Sequence, residues 1–130
     1  MKRALLFFAA ICTLIFTGCN SSKVTISGRF VGNENKSIYL ERSSTSYGVI
    51  IDSATLNESG NFSFSLNDIK ATPTLYHLVC DGERVPLFIK GGDKIQVDAM
   101  GNITRNYTVT GSEESTLVRE FYQTYALSIQ

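Results

Sequence analysis

The 130-residue sequence contains no tryptophan, one histidine, three cysteines and two prolines, and it has no excess of either charge: twelve Lys and Arg stand against twelve Asp and Glu. Each shortage weakens or removes a class of function. Without tryptophan, the largest stacking face for a sugar or a base is missing. A single histidine among scattered carboxylates offers no ligand spacing for zinc or calcium. His77 could be set with Asp52 and Ser53 as a Ser-His-Asp arrangement. No nucleophile elbow or other local context accompanies those residues, so His77, between Tyr76 and Leu78, reads as a strand histidine. The basic residues stand singly among acidic ones, with no stripe to attract nucleic acid. Cys12, Cys19 and Cys80 form no Cys-x-x-Cys pair, which excludes a dithiol that cycles within this chain. Cys80, at the end of an apolar strand, reads as a small buried hydrophobe. Gly91-Gly92-Asp93-Lys94 lacks the Gly-Lys-Ser/Thr element of a phosphate loop and reads as a hairpin turn, with Asp93 and Asp98 on a solvated face. No cofactor is implied.

Long hydrophobic runs are also scarce, and the one present is short. Lys2 and Arg3 precede an apolar stretch from Ala4 to Phe16, interrupted by Thr13, that ends in Thr17-Gly18-Cys19. A membrane-spanning helix needs about 20 apolar residues, so this stretch reads as a cleaved export signal over residues 1–18. Ile15-Phe16-Thr17-Gly18-Cys19 resembles a bacterial lipobox, which implies that Cys19 becomes the acylated first residue of the mature protein. Phe16 is bulkier than the usual residue three before the cysteine, and an ordinary secretory signal is the competing reading. Acylation would give a stable anchor, because a diacylglycerol plus an N-acyl chain buries many methylenes at roughly 0.8 kcal/mol each. With Lys2 and Arg3 removed, ten basic residues remain against twelve acidic ones. Cys19 would then be engaged and Cys80 left as the only thiol, so no internal disulfide is expected.

The mature chain, about 112 residues, suffices for one domain with its own core. Residues 19–22 form a short polar tether, and residues 23–111 alternate with period two. The runs are Val24 to Phe30, Ile38 to Leu40, Val49 to Ile51, Phe62 to Leu66, Leu75 to Cys80, Val85 to Ile89, Ile95 to Ala99 and Tyr107 to Val109. Turn residues separate them, among them Asn57-Glu58-Ser59-Gly60-Asn61 and Asp81-Gly82-Glu83. No helical crossover lies between the runs. The expected fold is therefore all-β, an antiparallel β-sandwich or open barrel of about seven or eight strands, with a C-terminal helix. That helix is expected over residues 112–128, with Ser112 as cap and Glu113 and Glu114 in its first turn. Leu117, Phe121 and Tyr125 then recur on one face, which needs a surface to cover, either the sandwich or a partner.

Several short segments carry a resemblance in order and spacing. They are Ile26-Ser27-Gly28-Arg29-Phe30, Ile38-Tyr39-Leu40, Ile51-Asp52-Ser53 and Gly60-Asn61-Phe62-Ser63-Phe64, then Leu75-Tyr76, Phe88-Ile89, Gly92-Asp93-Lys94-Ile95 and Tyr107-Thr108-Val109-Thr110-Gly111-Ser112. Over Lys23 to Tyr122 the chain resembles the domain of unknown function that precedes a thioredoxin-like domain, of the alkyl-hydroperoxide-reductase/thiol-specific-antioxidant type, in many Bacteroidetes lipoproteins. In that family the redox domain with its Cys-x-x-Cys follows further helical sequence, whereas this sequence stops at Gln130. The expectation is a truncated or split product, or a stand-alone copy, and no redox role passes to any residue here. Asp52-Ser53-Ala54 resembles the Asp-Ser/Thr-apolar motif at which Bacteroidetes periplasmic proteins are O-glycosylated, which implies Ser53 as an acceptor. The plainer reading is that Asp52-Ser53 belongs to the strand-and-turn pattern.

Two function classes follow. The first is a non-catalytic, lipid-anchored envelope module that docks a thioredoxin-like protein or domain through Leu117, Phe121 and Tyr125. The second is a ligand- or glycan-binding lipoprotein using Tyr39, Tyr47 or Tyr76 as platforms. Asn20-Ser21-Ser22-Lys23 lacks an acidic cluster resembling the surface-export signal of Bacteroidetes lipoproteins, so the expected position faces the periplasm.

Overall fold

Alternation of apolar and polar residues decides which face of each strand is buried, and the computed structural model, which describes residues 22–129, contains eight strands and one helix. They are β1 (Val24–Val31), β2 (Ser37–Ser43), β3 (Gly48–Thr55), β4 (Asn61–Leu66), β5 (Thr74–Cys80), β6 (Glu83–Ile89), β7 (Lys94–Met100), β8 (Tyr107–Thr110) and α1 (Glu113–Ser128). In β4, Phe62, Phe64 and Leu66 are buried while Asn61, Ser63 and Ser65 are exposed, the expected consequence of successive side chains pointing to opposite faces.

The strands form two four-stranded sheets, in the orders β4-β1-β7-β8 and β3-β2-β5-β6. This is a sandwich, not a barrel. The pairings are antiparallel except one: β1 runs parallel to β7, with Gly28 opposite Val97. No helix is needed for that parallel pair, because the connection between its strands passes through the whole of the other sheet. The Gly91-Gly92 turn is likewise not a hairpin. It carries the chain from β6 in one sheet to β7 in the other. Asp93 there is buried rather than solvated, its carboxylate accepting from Lys90 N at 3.0 Å. A true two-residue hairpin joins β5 to β6, where Asp81 (φ 52) and Gly82 (φ 77) both take the left-handed conformation that matches the twist of the paired strands.

Between the sheets lie Ile26, Phe30, Phe62, Phe64, Ile95 and Val97 from one side and Ile38, Leu40, Leu78, Val85, Leu87 and Ile89 from the other. Burying each such side chain is worth about 1.5–3 kcal/mol relative to exposure. Phe30 and Phe62 meet at 4.8 Å between ring centroids, tilted by 56°. Leu56 and Ile103, in connections where no strand was read, are also fully buried and fill the core from outside the sheets. Gly28 occupies the inner row of β1 between Ile26 and Phe30. An added Cβ there would lie 1.6 Å from the Val97 carbonyl oxygen and 3.2 Å from the Phe62 ring, so only glycine lets β1 and β7 approach this closely.

Candidate functional site

Each sheet of a sandwich ends in strands whose outer backbone groups lack a neighbour. β3 and β4 meet on one flank, and α1 lies across β6 and β8 on the other. The helix meets these edges with polar side chains. Ser112 caps it in an extended conformation (φ −141, ψ 109), its side chain accepting from Ser115 N. The Ser112 hydroxyl donates to Phe88 O at 2.7 Å, and Phe88 N donates to the Ser115 hydroxyl at 2.9 Å. One turn on, the Thr116 hydroxyl shares its proton between Ser112 O at 3.0 Å and Val109 O at 3.5 Å, and Arg119 Nε donates to Tyr107 O at 2.6 Å. Arg119 also stacks over the Tyr107 ring, 4.6 Å from its centroid. Lys90 Nζ and Glu114 Oε1 pair at 2.8 Å. Their mutual hydrogen bond holds the lysine above its ordinary pKa and the carboxyl below its own. The inward stripe of α1 is thus Ser112, Ser115, Thr116 and Arg119, and Ser115 is its one fully buried residue.

The apolar stripe faces the other way. Leu117, Phe121 and Tyr125 are 59%, 66% and 55% exposed. Phe121 and Tyr125 stack at 6.3 Å between centroids with 13° between planes. An ordinary surface helix buries its apolar side. Here the polar stripe is buried at Ser112 and Ser115 and half-buried at Thr116 and Arg119, and the aromatic one is open. Leu117 and Phe121 border a groove of about 450 Å³ between the helix and the outer face of β5 and β6, whose other wall includes Leu75, Phe88 and Pro86. His77 lies on that outer face, its Nδ1 3.2 Å from the Ser43 hydroxyl. Burial, and secondarily Arg84, lowers its pKa while Glu41 opposes them.

The residues singled out from sequence fall in three places. Leu117, Phe121 and Tyr125 come together on one helix face. Ser53 is exposed on β3, at the opposite edge of the sheet that ends in β6, with its N–H donating to Asp52 Oδ1 at 2.8 Å. Cys19 lies outside the described residues. Of the tyrosines weighed as platforms, Tyr39 and Tyr47 are exposed, whereas Tyr76 belongs to the core and offers no face. Asp52 and Ser53 are not hydrogen-bonded to His77, and among the described residues no group of His, Cys, Asp and Glu is placed to hold a metal. Cys80 is buried and free, its thiol pKa pushed up by burial. Among the described residues no helix is long and apolar enough to cross a membrane. The sequence reading missed Arg119 and the inward role of Ser115 and Thr116. Their signal was there, since residues 112, 115, 116 and 119 also recur at helical spacing.

No curated protein of known function matches the chain. Among solved structures it is similar to a candidate cell adhesion protein from Bacteroides ovatus, at 11% identity and a TM-score of 0.37 over 71% of this chain. The chain spans 43% of that protein's length. Residues 24–118, the sandwich and the first turns of α1, match the family model described as a domain of unknown function, DUF4369, and the chain belongs to that family.

Proposed function

We propose that this chain is a non-catalytic envelope module, anchored through acylated Cys19 and facing the periplasm, that docks a thioredoxin-like domain on the outward face of α1. One observation supports the reading above others: a helix fixed by its polar stripe while Leu117, Phe121 and Tyr125 stay open. A contiguous apolar face of this kind marks an interaction surface more often than idle exposure. The occupant is chosen from the resemblance, in which a thioredoxin-like domain accompanies this module. The placement suits such a role. Ile69 N donates to Ser22 O, and Gly92 N to Lys23 O, at the end of the sandwich where α1 begins. From there the 16-residue helix runs about 24 Å toward the far end. A partner on its second half would sit away from the anchor.

The test is calorimetric titration of the mature protein with the family-type thioredoxin-like domain encoded in the same genome. Saturable binding is expected, weakened at least ~30-fold by Phe121→Ser or Tyr125→Ser, as for a central aromatic contact. Absence of binding, or binding indifferent to both changes, overturns the docking role. The anchor has its own test: mass spectrometry of the mature N-terminus should find Cys19 carrying acyl chains, and an unmodified cysteine or a cut elsewhere refutes it.

A further inference from the structure

Beside the docking face, with which it shares Tyr125 but neither Leu117 nor Phe121, a cleft of about 1150 Å³ lies between the second half of α1 and the start of β6. Its walls carry Arg84, Arg105 and Arg119, and among the described residues no Asp or Glu side chain lines it. Arg84 is paired with Glu41 at 2.7 Å, while neither Arg105 nor Arg119 has a carboxylate partner among the described residues. Arg119 is spent on positioning, its Nη2 donating to Arg105 O at 3.1 Å and its face laid on Tyr107. Tyr107, only 3% exposed, also lines the cleft, and its buried hydroxyl has no hydrogen-bond partner among the described residues. Tyr122 and Tyr125, each 55% exposed, add two ring faces, and Gln123 adds a neutral amide.

The cleft is closed to one kind of occupant. A peptide that adds as a strand needs free backbone groups on an edge. On β6 all but the Pro86 carbonyl are taken or missing: Thr104 Oγ1 accepts from Arg84 N at 3.1 Å and donates to Arg84 O at 3.0 Å, Pro86 has no N–H, and Ser112 and Ser115 hold Phe88. What remains is guanidinium charge beside tyrosine rings, the Gln123 amide and an apolar wall of Pro86, Ala126, Leu127 and Ile129. That set suits a ring with an apolar C–H face, hydroxyl edges and one anionic group. We infer that the cleft binds an acidic carbohydrate, its carboxylate on Arg105 and Arg84 and its ring face on Tyr122 and Tyr125.

The probe is trigalacturonate, titrated into the mature protein in low salt and followed by NMR and calorimetry, beside its uncharged methyl ester and a triglutamate peptide. Binding of trigalacturonate is expected to shift Tyr122, Tyr125 and Thr104 resonances. Removing one charge-assisted contact by Arg105→Gln should weaken it about tenfold or more, and esterifying the ligand, which removes every carboxylate, at least as much. Leu117→Ser, outside the cleft, should leave it unchanged, which separates this site from the docking face. No saturation at millimolar trigalacturonate, an unaltered affinity in both Arg105→Gln and Arg84→Gln, or equal binding of triglutamate overturns the inference.

Discussion

Ser115 should matter more to the stability of this domain than any apolar residue on the outer face of α1. The hydroxyl of this fully buried serine receives Phe88 N–H at 2.9 Å and lies 2.8 Å from the Ser112 hydroxyl. Ser115→Ala leaves that N–H buried without an acceptor, at a cost of about 1–3 kcal/mol. Ser112→Ala removes the helix cap, for about 1 kcal/mol, and leaves Phe88 O only the longer contact to the Ser115 hydroxyl at 3.2 Å. Because the two hydroxyls serve the same strand residue, the double variant should cost less than the two losses added, by roughly 0.5 kcal/mol or more. Leu117→Ser, at a position 59% exposed, should stay within about 0.5 kcal/mol of the parent. Urea unfolding followed by far-ultraviolet circular dichroism reads these differences. At a slope of about 1–3 kcal/mol/M, loss of ~1.5 kcal/mol lowers the midpoint by about 0.5–1.5 M. If Leu117→Ser lowers the midpoint more than Ser115→Ala does, the helix is held by its apolar side and the reasoning is refuted.

Gly28→Ala places a methyl against the Val97 carbonyl and should cost at least about 3 kcal/mol or abolish the cooperative transition, whereas Gly82→Ala, with open space but φ +77, should cost only about 1 kcal/mol. Equal effects in thermal melts would refute the close approach of β1 and β7. His77 has a folded pKa below its ordinary 6.5, so the folded state holds its proton less well than the unfolded chain. Its contribution is then fully present above pH 6.5 and declines as pH falls from there toward the folded pKa; His77→Asn should flatten that slope, and an NMR midpoint above 6.5 would contradict it. The Cys80 thiol, 1% exposed, should resist a thiol-specific reagent in the native protein and react completely in urea. Rapid native labelling would show that the sheet opens there.

Much of the fold was legible because period-two alternation has a direct physical cause. Phe62-Ser63-Phe64-Ser65-Leu66 can bury one face only as a strand, and Asp81-Gly82 between two apolar runs supplies the two left-handed residues of a tight hairpin. Ser112 followed by two acidic residues marks the helix start with similar clarity. The candidate site was half legible: Leu117, Phe121 and Tyr125 share a face by spacing alone, but nothing in that spacing says where the face points.

What the sequence determined by itself is therefore local: strand faces, turn positions, the helix and its two stripes. Only the tertiary structure decided how these join. Alternation is the same in parallel and antiparallel strands, so it could not reveal that β1 lies parallel to β7, or that Gly91-Gly92 crosses between sheets. The orientation of α1 likewise depends on strands distant in sequence. Phe88, Tyr107 and Val109 present backbone groups on the edges of β6 and β8, and these are bonded by Ser112, Ser115, Thr116 and Arg119. Satisfying those groups turns the polar stripe inward and leaves the aromatic one facing out, because each backbone group buried unpaired would cost about 1–3 kcal/mol.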